Sequence, residues 1–208
     1  MTAPSTLGRA GGTPTIPGID VLLLCTANQC RSPMAQVLLR RHLTAAGVEA
    51  SVSSAGLLPG GRPATAHGVE SMAARGLDLS GHRSRQLARE LIEPADLIIG
   101  MAREHVREVA VLDAGALPRT FTLKELVRLG EGAGPRSPDE PLADWLARVG
   151  RSRQRQHLLG VGHDPAHDVE DPVGRGRADY ELTADELDDL LARVVALAFP
   201  SKTKEQAS

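Results

Sequence analysis

The feature that most constrains the fold is an apolar run followed directly by a polar loop and a helix start. Residues 19–24 (IDVLLL) show no regular alternation, which is the pattern of a β-strand buried on both faces. The polar residues 25–31 come next, and Ser32-Pro33 then opens a helical stretch to residue 43, with the serine as its expected cap. This order of strand, loop and helix is typical of an α/β protein.

Further strands and helices alternate along the chain. We expect strands at 48–53, 95–100 and 118–121, and helices at 64–75, 84–92, 102–112, 122–129, 142–149 and 178–198. Strands that alternate with helices form a parallel sheet. We therefore predict an α/β fold with a doubly wound, Rossmann-like sheet of about four parallel strands, helices on both faces and the flavodoxin type of strand order.

The length of 208 residues suits one folded unit. We predict a single domain over 19–200, interrupted at about 130–165 by an insertion that begins with a Gly- and Pro-rich stretch. Residues 1–18 and 201–208 have few apolar side chains to bury, so we expect two disordered tails.

Composition and charge exclude several classes of partner. A formal net charge of −2 argues against nucleic acid, whose binding domains are usually strongly basic. No apolar run reaches the roughly 18 residues that a membrane span needs, and the first residues lack the pattern of a signal peptide. We therefore expect no nucleic-acid or membrane partner and predict the cytoplasm as the location.

The chain has two cysteines, Cys25 and Cys30, and both lie in the loop that follows the first strand. In a reducing compartment a structural disulfide framework is not expected, and a zinc site would need more soft ligands at closer spacing. We predict no metal and no cofactor. We therefore interpret the two thiols as reactive groups and not as structural ones.

The loop before the first helix has the residues of an oxyanion site. Ligands of open α/β sheets bind at the carboxyl ends of strands, and the free N–H groups at a helix start suit a phosphate dianion. The same helix end, together with the Ser32 hydroxyl, favours the thiolate of Cys25, which we predict to be a nucleophile. Arg31 offers phosphoryl oxygens two parallel N–H donors, and Asn28 tolerates left-handed backbone geometry.

At these residues the sequence resembles the low-molecular-weight protein tyrosine phosphatase family, whose signature is similar to Val-Cys-x-Gly-Asn-x-Cys-Arg-Ser-Pro. The chain has Cys25, Asn28, Cys30, Arg31, Ser32 and Pro33, with Ala27 in place of the usual glycine. Further matches follow in family order over about 19–199. They are Ser53-Ser54-Ala55-Gly56 and the segments 81–86 (GHRSRQ), 95–101 (ADLIIGM) and 168–174 (DVEDPVG).

The resemblance implies a role for each of these residues. Cys25 attacks phosphorus, and Asp171 protonates the leaving oxygen and then activates water against the phosphocysteine. The phosphate oxygens are held by Arg31 and by the backbone of Thr26, Ala27, Asn28, Gln29, Cys30 and Arg31. The loop is supported by Asn28, Ser32, Ser54 and His82. The resemblance also leads us to expect that Cys25 and Cys30 can form a reversible disulfide. From spacing alone, Asp164 and Asp168 remain alternatives to Asp171.

The resemblance predicts a cysteine-dependent phosphatase that hydrolyses phosphotyrosine in proteins, or another phosphomonoester, through a phosphocysteine. The strength of a phosphotyrosine preference stays open, because Thr26 and Gln29 replace apolar loop residues and Val173 replaces a common aromatic one. One alternative is an arsenate reductase that uses an external small thiol, since no cysteine follows Cys30. The other is a non-catalytic phosphate-binding or redox-sensing module. The oligomeric state is not predicted.

Overall fold

The computed structural model describes residues 18–153 and 163–200. The predicted tails at 1–18 and 201–208 lie outside the described residues, apart from Gly18. Residues 154–162 of the predicted insertion also lie outside them.

Strands and helices alternate through the described chain. The strands are β1 (Ile19–Cys25), β2 (Ala50–Gly56), β3 (Leu97–Gly100) and β4 (Thr120–Thr122). The helices are α1 (Arg31–Ala45), α2 (Ala66–Ala74), α3 (Arg89–Ile92), α4 (Arg103–Leu112), α5 (Leu123–Ala133), α6 (Leu142–Gly150) and α7 (Arg177–Ala198). A short 3-10 helix, Ala114–Arg119, precedes β4.

All four strands are parallel and lie in the order β2-β1-β3-β4. Cys25 at the end of β1 pairs with Gly56 at the end of β2, and Leu24 pairs with Gly100 at the end of β3. The predicted sheet, its strand order and its fold class are confirmed. The register places the carboxyl ends of three neighbouring strands at one edge of the sheet.

The sheet is covered on both faces, which explains the lack of alternation in β1. Val21 and Leu23 pack in one apolar cluster with residues of α1 and α7, while Leu22 and Leu24 pack in a second with residues of α3 and α4. Each fully buried leucine contributes roughly 2 kcal/mol by leaving water. The central strand is therefore held firmly, and so is the position of the residue that ends it.

Two local predictions are wrong. Of the helix expected at 84–92, only Arg89–Ile92 is helical, because the preceding residues extend along the end of β2: Gly56 bonds through its amide to Arg85 O and through its carbonyl to Leu87 N. The expected serine cap of α1 is also absent. The cap position is Cys30, two residues earlier than expected, and it has no side-chain cap hydrogen bond.

Helix α6 of the predicted insertion packs on α5. Trp145 is fully buried and donates a hydrogen bond from Nε1 to the carbonyl of Gly134 at 3.0 Å. A β-carbon at Gly130 would lie 3.3 Å from the indole ring, so a small residue is favoured on the facing side of α5. None of the helices within the described ranges combines the length and the apolar character needed to cross a membrane.

Candidate active site

The Cys25 loop (residues 25–31) connects β1 to α1 at the carboxyl edge of the sheet. It packs closely on the end of β2, where a β-carbon at Gly56 would lie 2.6 Å from Asn28 N and 2.8 Å from Thr26 O. The amides of Leu57 and Leu58 both donate to that same Thr26 carbonyl, at 2.7 and 3.1 Å. Glycine at position 56 therefore lets two stretches of backbone come together.

Asn28 shapes the loop from inside. Its φ of 52° is the one positive value among the non-glycine residues that the structure describes, in line with the tolerance of asparagine for this region. The fully buried side chain donates from Nδ2 to Ser32 Oγ and to Ser54 Oγ, each at 2.9 Å, and accepts from Arg85 N at 2.8 Å. One amide group thus joins the loop to α1, to β2 and to the segment that follows α2.

His82 and Gln36 extend this network. His82 Nε2 donates to the carbonyl of Asn28 at 2.7 Å, and burial lowers the pKa of the His82 ring. Ser54 donates to Gln36 Oε1 at 2.6 Å. The four residues expected to support the loop therefore meet around it, and the structure adds Gln36, which the sequence motif did not single out.

Cys25 lies at the centre of the loop with a side chain that is almost completely buried. Its Sγ accepts a hydrogen bond from Ser32 Oγ at 3.0 Å. This contact explains the missing cap, because the Ser32 hydroxyl turns toward the sulfur. Cys25 thus has a hydroxyl donor that comes from the first turn of α1.

Arg31 folds back over the loop and is 5% exposed. Its Nη1 donates to Val169 O at 3.1 Å, and its Nη2 contacts Thr26 Oγ1 at 3.3 Å and Asp171 Oδ2 at 2.5 Å. The buried Nε has no hydrogen-bond partner among the described residues. A buried N–H without a partner is costly, so this nitrogen fits an oxyanion that enters the loop.

Of the three aspartates considered for the general acid, only Asp171 contacts Arg31. Its side chain is 42% exposed, and its second oxygen accepts from Val173 N at 3.2 Å. Asp164 instead accepts from Ala166 N and lies beside Arg103. The geometry therefore favours Asp171, which stands over the loop at its solvent side.

Asp168 is the first residue of the Asp171 loop (residues 168–174), and it attaches this loop to Arg103. Its carboxylate accepts from Arg103 N at 2.9 Å, Arg103 Nη2 at 3.3 Å and Asp164 N at 2.8 Å. Burial opposes its ionisation, but the two amide hydrogen bonds and the Arg103 guanidinium together lower the pKa of Asp168. Val169 N also donates to Met101 O at 2.8 Å, which ties the loop to the end of β3.

Cys30 is buried beneath the loop, and both cysteines are free thiols. Burial, with the nearby charges of Asp171 and Cys25, raises the pKa of Cys30 to about 12. Cys30 is therefore protonated at neutral pH. Its predicted disulfide with Cys25 stays a prediction.

Sequence reasoning missed the residues that lie beside Thr26. Thr26 Oγ1 donates to Glu104 Oε1 at 2.8 Å and lies 3.3 Å from His105 Nε2. Because His105 Nδ1 accepts from Ala102 N at 2.8 Å, its proton is on Nε2; burial, reinforced by Arg31, lowers the pKa of His105 to about 3. The only available signal was the position of Glu104 and His105 directly after a buried strand.

Comparison with known proteins identifies the family. The family model described as low molecular weight phosphotyrosine protein phosphatase matches residues 20–130, from β1 through most of α5. The chain belongs to this family. The match includes the Cys25 loop and its supporting residues, whereas the Asp171 loop lies beyond it.

Two relatives match a larger share of the chain than the family model does. A protein-arginine-phosphatase of Bacillus subtilis is 31% identical over 178 residues, 85% of this chain and 94% of that protein. A probable low molecular weight protein-tyrosine-phosphatase, EpsP of Ralstonia solanacearum, is 41% identical over 132 residues, 63% of this chain and 88% of that protein.

A solved relative is the arginine phosphatase YwlE, in a mutant with serine for cysteine and a phosphorylated active-site serine. It has a TM-score of 0.64 and 28% identity, and the match covers 86% of this chain and 94% of that protein. In that protein the residue at the place of a cysteine accepts a phosphoryl group. The family thus includes proteins named for tyrosine and for arginine phosphatase activity.

Proposed function

We propose that this protein is a phosphatase that transfers the phosphoryl group of a phosphorylated protein side chain to Cys25 and then hydrolyses the phosphocysteine. The observation that carries the proposal is the environment of Cys25 and Arg31. A hydroxyl donor faces the sulfur, while a buried guanidinium, whose Nε has no partner within the described part of the chain, lies over the same loop. A nucleophile and an oxyanion cradle are thus combined within seven residues.

The first step forms a bond between Cys25 Sγ and phosphorus and breaks the bond from phosphorus to the leaving atom. Arg31 and the loop amides bind the non-bridging oxygens, which gain charge as the bonds change. Asp171 supplies the proton to the leaving atom. Its contact with Arg31 supports this role, because a phosphate bound to Arg31 is also next to Asp171.

The second step releases phosphate. Asp171, now a carboxylate, takes a proton from a water molecule, whose oxygen attacks phosphorus while the sulfur leaves as a thiolate. Ser32 stabilises that thiolate through its hydrogen bond to Cys25. The reaction needs a free thiol, which is consistent with the reducing cytoplasm as the proposed location.

Phosphotyrosine is the first candidate substrate because the matching family model and several relatives carry that name. Phosphoarginine is a second candidate, because the protein-arginine-phosphatase of Bacillus subtilis matches 85% of this chain, beyond the Asp171 loop, while the tyrosine phosphatase EpsP matches 63%. Val173, which is 54% exposed, has no aromatic ring that could contact either substrate, so it does not distinguish phosphotyrosine from phosphoarginine.

The test is the replacement Cys25→Ser, with Cys30→Ser as the matched control in the same loop. We expect Cys25→Ser to lose multiple turnover on para-nitrophenyl phosphate while it still binds inorganic phosphate, because the hydroxyl leaves the cradle intact but is a weak nucleophile at neutral pH. Cys30→Ser should continue to turn over. Sustained turnover by Cys25→Ser would disprove the proposed mechanism.

A further inference from the structure

A second carboxylate, that of Glu104, lies at the rim of the Cys25 loop and has no part in the mechanism above. Glu104 is in the first turn of α4, and its side chain is 47% exposed. Its Oε1 accepts from Thr26 Oγ1 at 2.8 Å and lies 3.3 Å from His105 Nε2. Because Thr26 directly follows Cys25, these bonds hold the carboxylate beside the nucleophile.

Asp171 contacts the Arg31 guanidinium directly, and Glu104 is linked to the same guanidinium through the Thr26 hydroxyl. Arg31 Nη2 contacts Asp171 Oδ2 and also Thr26 Oγ1, and the Thr26 hydroxyl donates to Glu104. The two carboxylates come from α4 and from the Asp171 loop, so they reach the mouth of the site from different elements. Both side chains are more than two-fifths exposed, and a substrate entering the loop meets them.

Two carboxylates at the mouth discriminate between leaving groups by charge. A phenol brings no positive charge, so a second carboxylate offers it nothing and repels the phosphate dianion to which it is attached. A guanidinium brings a positive charge and N–H donors in a planar fork, which match carboxylate oxygens. Asp171 is occupied in proton transfer to the leaving nitrogen, which leaves Glu104 to accept the remaining N–H groups.

We propose that Glu104 is a specificity-determining residue that favours a phosphorylated guanidinium, as in phosphoarginine, over an aryl phosphate. This inference rests on the proposed phosphatase function and assigns its substrate class. Thr26 and the neutral His105 hold Glu104 Oε1, and Oε2 has no hydrogen-bond partner among the described residues. The glutamate is therefore positioned at one oxygen and open to a ligand at the other.

The experiment compares kcat/KM for a phosphoarginine peptide and for a phosphotyrosine peptide with the same flanking sequence. The variant is Glu104→Gln, which keeps the size and one hydrogen-bond acceptor but removes the charge. The matched control is Glu108→Gln, one turn further along α4. Turnover of para-nitrophenyl phosphate is measured for each protein to show that the Cys25 loop is still functional.

For Glu104→Gln we expect kcat/KM to fall about tenfold or more on phosphoarginine and to rise by a few fold on phosphotyrosine, since charge-assisted hydrogen bonds are lost and a repulsion is relieved. Glu108→Gln should alter neither rate by more than about twofold. An opposite change on the two substrates is not expected if Glu104 only supports Thr26.

Three results would overturn the inference. They are an equal loss on both peptides, no change on either peptide, and a wild-type protein that hydrolyses phosphotyrosine but not phosphoarginine. In each of them the proposed phosphatase function stands. A wild-type protein inactive on both peptides and on para-nitrophenyl phosphate would instead remove the proposed function itself.

Discussion

The Cys25 loop and the Asp171 loop meet at Arg31 but are built in different ways. Asn28 of the first region is fully buried and is bonded to Ser54 at the end of β2 and to Ser32 of α1. In the second, Val169 and Pro172 are buried, but the Asp171 side chain is 42% exposed and Val173 is exposed. The structure thus combines a tightly bonded loop around Cys25 with a proposed acid, Asp171, whose side chain is only partly buried.

Because of this difference, we expect substitutions in the two loops to affect catalysis in different ways. The cradle is one connected network, so a change in it should reduce catalysis on every substrate. The Asp171 loop is attached through a few contacts to Met101, Arg103 and Arg31, so changes there should depend on what the leaving group needs. The following predictions test that separation.

The largest effect is expected for Arg31→Lys. A single ammonium group cannot replace the two parallel donors of the guanidinium, so kcat/KM should fall by about 10²–10³ on all substrates. Steady-state kinetics on para-nitrophenyl phosphate and on an alkyl phosphate measure it. Arg41→Lys, at an arginine on α1 that pairs with Asp188, is the control. A loss below about tenfold would exclude the role of Arg31.

The next largest effect is expected for Asp171→Asn. Without the proton donor, hydrolysis of an alkyl phosphate should slow by about 10²-fold, while the nitrophenyl ester, whose leaving oxygen is weakly basic, should slow much less. Asp164→Asn is the control. If it has the larger effect, or if both esters slow equally under Asp171→Asn, the general acid is not Asp171.

A smaller effect is expected for Asp168→Asn, which weakens the attachment of the Asp171 loop to Arg103. As a positioning residue, Asp168 should affect kcat on the alkyl phosphate by about tenfold, within the cost of a hydrogen bond to a charged group. The ratio of alkyl to nitrophenyl rates should shift in the same direction as in Asp171→Asn. A uniform loss on both esters would show that Asp168 supports the fold and does not position the acid.

The smallest effect is expected for Val173→Phe. Val173 is exposed two residues after Asp171, and a ring at this position could contact the phenyl ring of phosphotyrosine, a contact worth on the order of 1 kcal/mol. We expect kcat/KM on a phosphotyrosine peptide to rise about fivefold. Val111→Phe, at an exposed valine on α4, is the control. No gain would mean that residue 173 does not face the substrate.

Much of the fold followed from local pattern. The unalternating run of β1 predicted a strand covered on both faces, and the two apolar clusters confirm it. The helix expected at 84–92 failed because Gly56 draws residues 85–87 into hydrogen bonds with β2, a contact that helical propensity does not report. The serine cap failed for a similar reason, since Ser32 bonds to Cys25.

The sequence by itself indicated the Cys25 loop, because the proposed nucleophile, the guanidinium, the turn residue and the helix start lie within nine consecutive residues. The resemblance favoured Asp171 over Asp164 and Asp168, whereas only the tertiary structure shows its contact with Arg31, which joins residues 140 positions apart. The same holds for Glu104, whose partner Thr26 is 78 positions away. Contacts within one turn or loop are limited by backbone geometry, whereas contacts over such separations depend on how the strands and helices pack.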